Sequence, residues 1–327
     1  PSLNPPSVPP IQVELADSVV PVNTILTGVN EISLISSAFR YGNSRIDFVF
    51  FINAAVADDG GEIVAGQPTY LALMSYAEAW GGKIKWVPVD SNKGYDLGKI
   101  EEAIDAKTKM VFIANPNNPT GTLLEKSSLS DFCERASEKT IVFCDEAYYD
   151  YIEEPEYPSM DYLVREGKNV IVSRTFSKVY GMAGLRIGYL VLKPDLADKL
   201  FGEYSPYGRN KIMAQTNVLA VAAALEALKD KDFYSFSLKK ASQEKDKIYK
   251  LLDHLDLKYV KSSTNFVFFE LNDEATIDSA QLAEALKARN ITMIAYPTAP
   301  NKFRLVTHYW ITRERVEQVL AAIQEVV

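Results

Sequence analysis

The sequence predicts an α/β fold: a mostly parallel sheet flanked by helices, followed by a smaller α+β unit toward the carboxyl end. Three observations predict it. Between residues 83 and 173, short apolar runs alternate with stretches of helical periodicity, the pattern of parallel βαβ units. The last three of these runs each stop at a cluster of polar residues, and the carboxyl ends of parallel strands are where ligands gather. Past residue 236 the order changes to strand, helix, paired strands and a closing helix, which suits a second, smaller layer.

The totals exclude several classes. The chain has 327 residues, 47% of them hydrophobic and 24% charged, as in ordinary globular proteins. A net charge of -8 with scattered Lys and Arg argues against a nucleic-acid surface, although local arginines can still hold small anions. Cys133 and Cys144 form no disulfide framework, and with His254 and His308 as the two histidines no metal spacing is present. No apolar run reaches the roughly 18–20 residues of a membrane span, and the start shows no signal-peptide pattern. A cytoplasmic protein with neither membrane nor nucleic-acid partner is expected.

Taken in order, residues 1–26 carry Pro5, Pro6, Pro9, Pro10 and Pro21 and read as an N-terminal arm. Residues 27–235 read as a large domain and 236–327 as a small one. Gly28-Val29-Asn30-Glu31 leads into the periodic Ile32, Leu34, Ile35, Ala38 and Phe39, a glycine turn opening a helix. The free N–H groups of Val29 and Asn30 at such a start suit a phosphate; a plain N-cap is the alternative. Residues 46–57 fit a helix or a buried strand, and 62–65 a short strand that ends near Tyr70. Helices are expected at 70–80, 97–105 and 126–137, each followed by an apolar strand, at 83–87, 109–114 and 140–144. A further strand at 169–173 runs into Arg174-Thr175-Phe176-Ser177-Lys178. Helices follow at 194–202, 214–229 and 233–255, then strands at 265–269, near 291–295 and at 303–307, with helices at 278–288 and 312–325.

Lys178 stands just past an apolar strand, with Thr175 and Ser177 before it and Arg186 eight residues on. That setting suits a lysine holding a phosphorylated aldehyde, pyridoxal 5'-phosphate (PLP). Such a site needs an amine, an anion for the pyridine nitrogen, donors for the phenolic oxygen, a phosphate cradle and a ring-stacking partner. Lys178 supplies the amine and, once the substrate displaces it, a base for the substrate's Cα proton, provided its surroundings keep it partly neutral. Asp145 at a strand end suits the pyridine nitrogen, or else a helix N-cap. Asn118 and Tyr148 suit the phenolic oxygen, and Tyr70 either stacks on the ring or packs in the core. Arg186, Thr175 and Ser177, with the N–H groups of Val29 and Asn30, suit the phosphate; Arg186 as a surface charge is the alternative. Arg304 lies in an apolar strand pattern, where a charge is not buried unpaired. It marks either a contact to a substrate carboxylate or phosphate, shared with Asn118, or a structural salt bridge. Glu146 and His308 read as structural.

Residues 115–121, 145–148 and 173–188 resemble the three hallmark segments of fold-type I, class I/II aminotransferases, and Arg174-Thr175-Phe176-Ser177-Lys178 most resembles the histidinol-phosphate aminotransferases. The resemblance spans about residues 60–290. It implies Lys178 for the Schiff base, Asp145 for the pyridine nitrogen, Asn118 and Tyr148 for the phenolic oxygen, and Arg186 with Thr175 or Ser177 for the phosphate. It also implies Tyr70 for stacking, Arg304 for the substrate's anionic group, an amino donor and a 2-oxo acid as substrates, and a homodimer with the site at its interface. The ends depart from the family pattern. Leu3-Asn4-Pro5-Pro6 lacks the middle of the usual Asn-Glu-Asn-Pro-like segment, which suggests that part of the natural N-terminal region is missing. Arg40-Tyr41-Gly42 resembles a remnant of the segment that reaches the partner's cofactor, which makes Gly42 a second candidate for the phosphate turn beside Gly28. Val306-Thr307-His308-Tyr309 looks more like threonine aldolases, so an aldolase or decarboxylase on the same fold is the alternative activity, and a non-catalytic ligand-binding protein a further one.

Overall fold

Seven strands form one sheet: β1 (Ser33–Ser37), β2 (Glu62–Gln67), β3 (Lys83–Pro88), β4 (Thr108–Ala114), β5 (Ile141–Asp145), β6 (Val170–Thr175) and β7 (Gly188–Leu192), in the order β1-β7-β6-β5-β4-β2-β3. The computed structural model describes residues 33–37, 60–198, 217–271, 278–291, 301–307 and 313–326. The arm, Val29, Asn30, Gly42, the run at 46–57, the strand near 292–295 and His308 lie outside the described residues.

Strands β2 to β6 are mutually parallel, as the βαβ alternation predicts, and β7 runs against both β6 and β1. The central strands are apolar on both faces because helices cover both. In β4, Val111 and Ile113 enter one core with Val142 and Leu129, while Met110 and Phe112 enter the other with Ile63 and Phe143. Burying side chains of this size contributes about 1.5–3 kcal/mol each.

The helix expected over 32–39 is corrected here. Residues Ser33–Ser37 form β1, paired with β7 from Ser33 opposite Leu192 to Ser37 opposite Gly188. Three serines and a β-branched isoleucine in five positions are poor helix formers, and the open edge of β7 offers backbone partners that a strand can take.

The second sheet is antiparallel, with β8 (Lys258–Val260), β9 (Phe266–Glu270) and β10 (Lys302–Val306) in the order β10-β9-β8. Helices Ser279–Lys287 and Arg313–Val326 share a core with it, in which Phe269 stacks on Phe303 at 5.2 Å. The junction expected at 235/236 falls inside the continuous helix Lys231–His254. Its Ala241 packs with Tyr148 and Val179 of the large unit and with Phe266 of β9, so one apolar cluster joins the two units. Among the described residues no helix is long and apolar enough to cross a membrane.

Candidate active site

The loops after β2, β4, β5 and β6 lie side by side, because those strands are neighbours in the sheet. Their ends are level: Ala114 pairs with Asp145, and Asp145 with Ser173. A cleft opens at this edge. Tyr70, Asp145, Thr175, Ser177 and Arg186 line it over the stacked rings of Phe112 and Phe143, whose centroids are 5.7 Å apart. Five candidate residues from distant parts of the sequence thus share one cavity.

Asp145 is half-buried rather than buried. Its Oδ1 accepts hydrogen bonds from the Ala147 N–H at 3.1 Å and the Ser173 hydroxyl at 2.9 Å. The first is a local turn contact two residues on and not the helix N-cap given as the alternative role, since the next helical turn, Tyr149–Tyr151, starts from Tyr148 with no side-chain cap. Among the described residues, Oδ2 accepts no hydrogen bond.

Thr175 Oγ1 accepts the Ser177 N–H at 3.1 Å, a tight turn that holds both hydroxyl residues at the cleft. Arg186 has left-handed backbone angles, φ 54° and ψ 55°, a conformation that costs a non-glycine residue on the order of 1 kcal/mol. Its Nη1 donates to the Ala183 carbonyl at 2.5 Å. Two residues on, a Cβ at Gly188 would meet the Arg174 carbonyl at 2.6 Å, so only glycine allows β7 to pass this close to β6. Strain and close approach concentrate here, at the wall of the cleft that Arg186, Thr175 and Ser177 share.

Tyr148 is buried and meets Phe266 edge to face at 5.1 Å. The Lys178 ammonium lies 4.9 Å from the centre of the Tyr148 ring, within reach of a cation–π contact. On the other side, Arg304 Nη1 donates to Asn118 Oδ1, and its guanidinium carbon lies 5.0 Å from the Phe266 ring centre. Among the described residues Arg304 makes no salt bridge, the alternative to a substrate contact: an amide and an aromatic face hold it. Tyr148 and Arg304 therefore meet at Phe266, with Lys178 beside the Tyr148 ring and Asn118 bonded to Arg304.

Two structural networks were not anticipated. Asn117 accepts from Thr69 and Tyr95 at Oδ1, at 3.2 and 2.6 Å, and donates from Nδ2 to the Pro68 carbonyl and Thr120 at 3.0 and 2.9 Å. Burial pushes the Tyr95 hydroxyl well above its usual range and keeps it a neutral donor. The second network centres on Glu146, read as structural. Arg174 binds it at 2.6 Å, Ser159 and the Met160 N–H at 2.8 Å each, and the Arg174 guanidinium stacks over Tyr149 at 3.8 Å. Burial raises the Glu146 carboxyl despite these partners; burial lowers the Arg174 guanidinium, but Glu146, Tyr189 and Asp150 together more than reverse that.

Comparison with known proteins gives the family. The family model of class I and II aminotransferases matches residues 41–323. The chain belongs to that family. A histidinol-phosphate aminotransferase from Moorella thermoacetica is 34% identical to this aminotransferase over 287 residues, 87% of this chain and 71% of that protein. One from Bacillus velezensis is 31% identical over 291 residues, 89% and 77% of the two chains. The structure of histidinol-phosphate aminotransferase from Sinorhizobium meliloti, in complex with pyridoxal-5'-phosphate, matches with a TM-score of 0.76 at 25% identity, covering 90% of this chain and 76% of that one.

Ser173 is the residue of this aminotransferase's cleft that sequence reasoning passed over. The signal available was its position, the first polar residue to end the apolar run Val170, Ile171 and Val172, but only the strand register sets it opposite Asp145.

Proposed function

We propose that this aminotransferase holds PLP through Lys178 and moves an amino group from histidinol phosphate, or an aromatic or similar amino acid, to a 2-oxo acid such as 2-oxoglutarate. One observation carries the reading: a single cleft is lined by a carboxylate, one oxygen of which accepts no hydrogen bond among the described residues, and by Arg186, Thr175 and Ser177. That donor set fits a protonated pyridine nitrogen and a phosphate on one small molecule. When bound, PLP supplies an electron sink for the charge left at the donor's Cα.

The chain's own groups do the rest. Asp145 keeps the pyridine nitrogen protonated, Asn118 and Tyr148 donate to the phenolic oxygen, and Tyr70 stacks on the ring. Thr175, Ser177 and Arg186 hold the phosphate together with the N–H groups of Val29 and Asn30. Lys178 Nζ takes the Cα proton from the donor, and Arg304, with Asn118 beside it, takes the donor's carboxylate or phosphate by its planar fork. In this reading residues 1–26 are an arm, 27–235 bind the cofactor, 236–327 form the small domain, and a homodimer completes the site.

The test is a set of half-reactions. Purified protein loaded with PLP is mixed with single amino donors, and the products and visible spectrum are followed. Conversion of the donor to its oxo product, reversed by 2-oxoglutarate, supports the reading. Release of carbon dioxide or of an aldehyde with the amino group retained supports the decarboxylase or aldolase alternative instead. Lys178→Ala should fold, yet retain no cofactor after borohydride reduction; covalent retention in that variant overturns the role of Lys178.

A further inference from the structure

We propose that Ser173 is a positioning residue for Asp145: its hydroxyl fixes Oδ1 so that Oδ2 is the oxygen presented to the cofactor's pyridine nitrogen. The inference rests on the reading of Asp145 given above and extends it to a residue with no assigned role.

A carboxylate turns about a broad, two-fold terminal torsion, so its two oxygens are interchangeable unless the surroundings distinguish them. Here they do. Among the described residues, both donors that reach the carboxylate, the Ser173 hydroxyl and the Ala147 N–H, fall on Oδ1. The donors come from different segments, one on β6 and one in the loop after β5, so their directions pin the carboxylate plane as well as its occupancy. The sheet sets their distance: the Glu146 N–H bonds the Ser173 carbonyl at 3.0 Å, and the Asn115 N–H bonds the Asp145 carbonyl at 3.0 Å. Ser173 is thus held by the ladder on one side of Asp145 while β4 holds the other. Both Asp145 and Ser173 line the cleft, so the fixed geometry is set where the ligand binds. A serine hydroxyl has one proton to donate, and a hydrogen bond to a charged acceptor is stronger than one to a neutral acceptor, enough to bias an orientation. Preorganised acceptors of this kind bind without the cost of ordering at the moment of binding.

The test is a double-mutant cycle read by PLP affinity. Apoprotein of the parent, Ser173→Ala, Asp145→Asn and the double variant is titrated with PLP, following absorbance, and thermal unfolding is recorded for each. Ser173→Ala should weaken PLP binding by about tenfold in the parent background and change nothing in the Asp145→Asn background, because the hydroxyl acts only through the carboxylate. Ser173→Thr, which keeps the hydroxyl, should restore the parent affinity. Equal weakening in both backgrounds, or none in either, overturns the positioning role while leaving Asp145 in place. Unchanged affinity and spectrum in Asp145→Asn alone overturns the reading of Asp145, and this proposal with it.

Discussion

Arg304 of β10 donates a hydrogen bond to Asn118 of the loop after β4, so a side chain of the small sheet is tied directly to the carboxyl edge of the large one. The same loop receives a second tie, from the Ser263 N–H to the Gly121 carbonyl at 2.9 Å. Lys93 and Glu270 add an ion pair between the units at 3.0 Å. The anion-binding candidate is therefore registered to the carboxyl edge of the large sheet by short contacts and not by the distant chain connection.

Arg304→Ala should reduce kcat/KM for the amino donor on the order of 100-fold, and Arg304→Lys should recover only part of it, because an ammonium cannot replace a planar fork. Steady-state kinetics with the donor checks this. Unchanged kinetics in Arg304→Ala would remove Arg304 from the substrate side.

Gly121 has φ 75°, and a Cβ there would lie 2.4 Å from Ser262 Oγ. Gly121→Ala should cost about 1–3 kcal/mol in urea unfolding. It should also raise KM for the donor, since the displaced loop carries Asn118. A variant as stable as the parent would show that the loop yields freely.

Arg174→Met leaves the Glu146 carboxylate buried without its cation and should cost about 3–5 kcal/mol at neutral pH. Adding Glu146→Gln should return much of it. Glu146 is raised above its reference value of 4.5, chiefly by burial. Its contribution to stability is then full below that value and lost as pH rises through the folded-state value. The loss in Arg174→Met should therefore shrink as the medium is acidified toward pH 4.5. Chemical denaturation at several pH values decides it.

Glu125 caps the helix Lys126–Ala136, accepting first from the Ser127 hydroxyl and then from the N–H groups of Ser127 and Ser128, which lowers its carboxyl to about 2. A lowered carboxyl contributes stability above its unfolded value that is lost as pH falls through the folded one. Between pH 4.5 and about 2 the parent should lose thermal stability more steeply than Glu125→Gln. The group is exposed, so the difference is small. Parallel melting curves would show that the cap carries no charge effect.

Cys133 and Cys144 lie 3.8 Å apart at sulfur and are both buried; the Cys133 contact and burial raise the Cys144 thiol. Thiols kept protonated and away from solvent react slowly. An aromatic disulfide reagent should titrate neither in the native protein and both in urea. Rapid native labelling would show that this part of the core opens.

The β4, β5 and β6 strands were legible because both of their faces are covered, so each appears as an unbroken apolar run with a polar stop. Lys178, Asp145 and Asn118 were singled out from those stops. Strand β7 was not, since its direction depends on the chain turning back between Thr175 and Gly188, a tertiary event with no periodicity of its own. The segment at 33–37 was misread because Leu34 and Ile35 satisfy a helical spacing as well as a strand one. Partners such as Ser173 for Asp145 and Arg304 for Asn118 are separated by 28 and 186 residues, and pairings of that range arise from packing alone.

The two adjacent asparagines of the loop after β4 differ sharply in what they leave open to an engineer. Asn117 spends its whole side-chain hydrogen-bonding capacity inside the protein, whereas Asn118 accepts from Arg304 through its amide oxygen. Randomising position 304 alone explores donor preference on an intact frame, because position 118 also serves the cofactor in the proposed function. Including position 117 in the same library would fill it with misfolded clones, because no other side chain offers two acceptor sites and two donors in that shape.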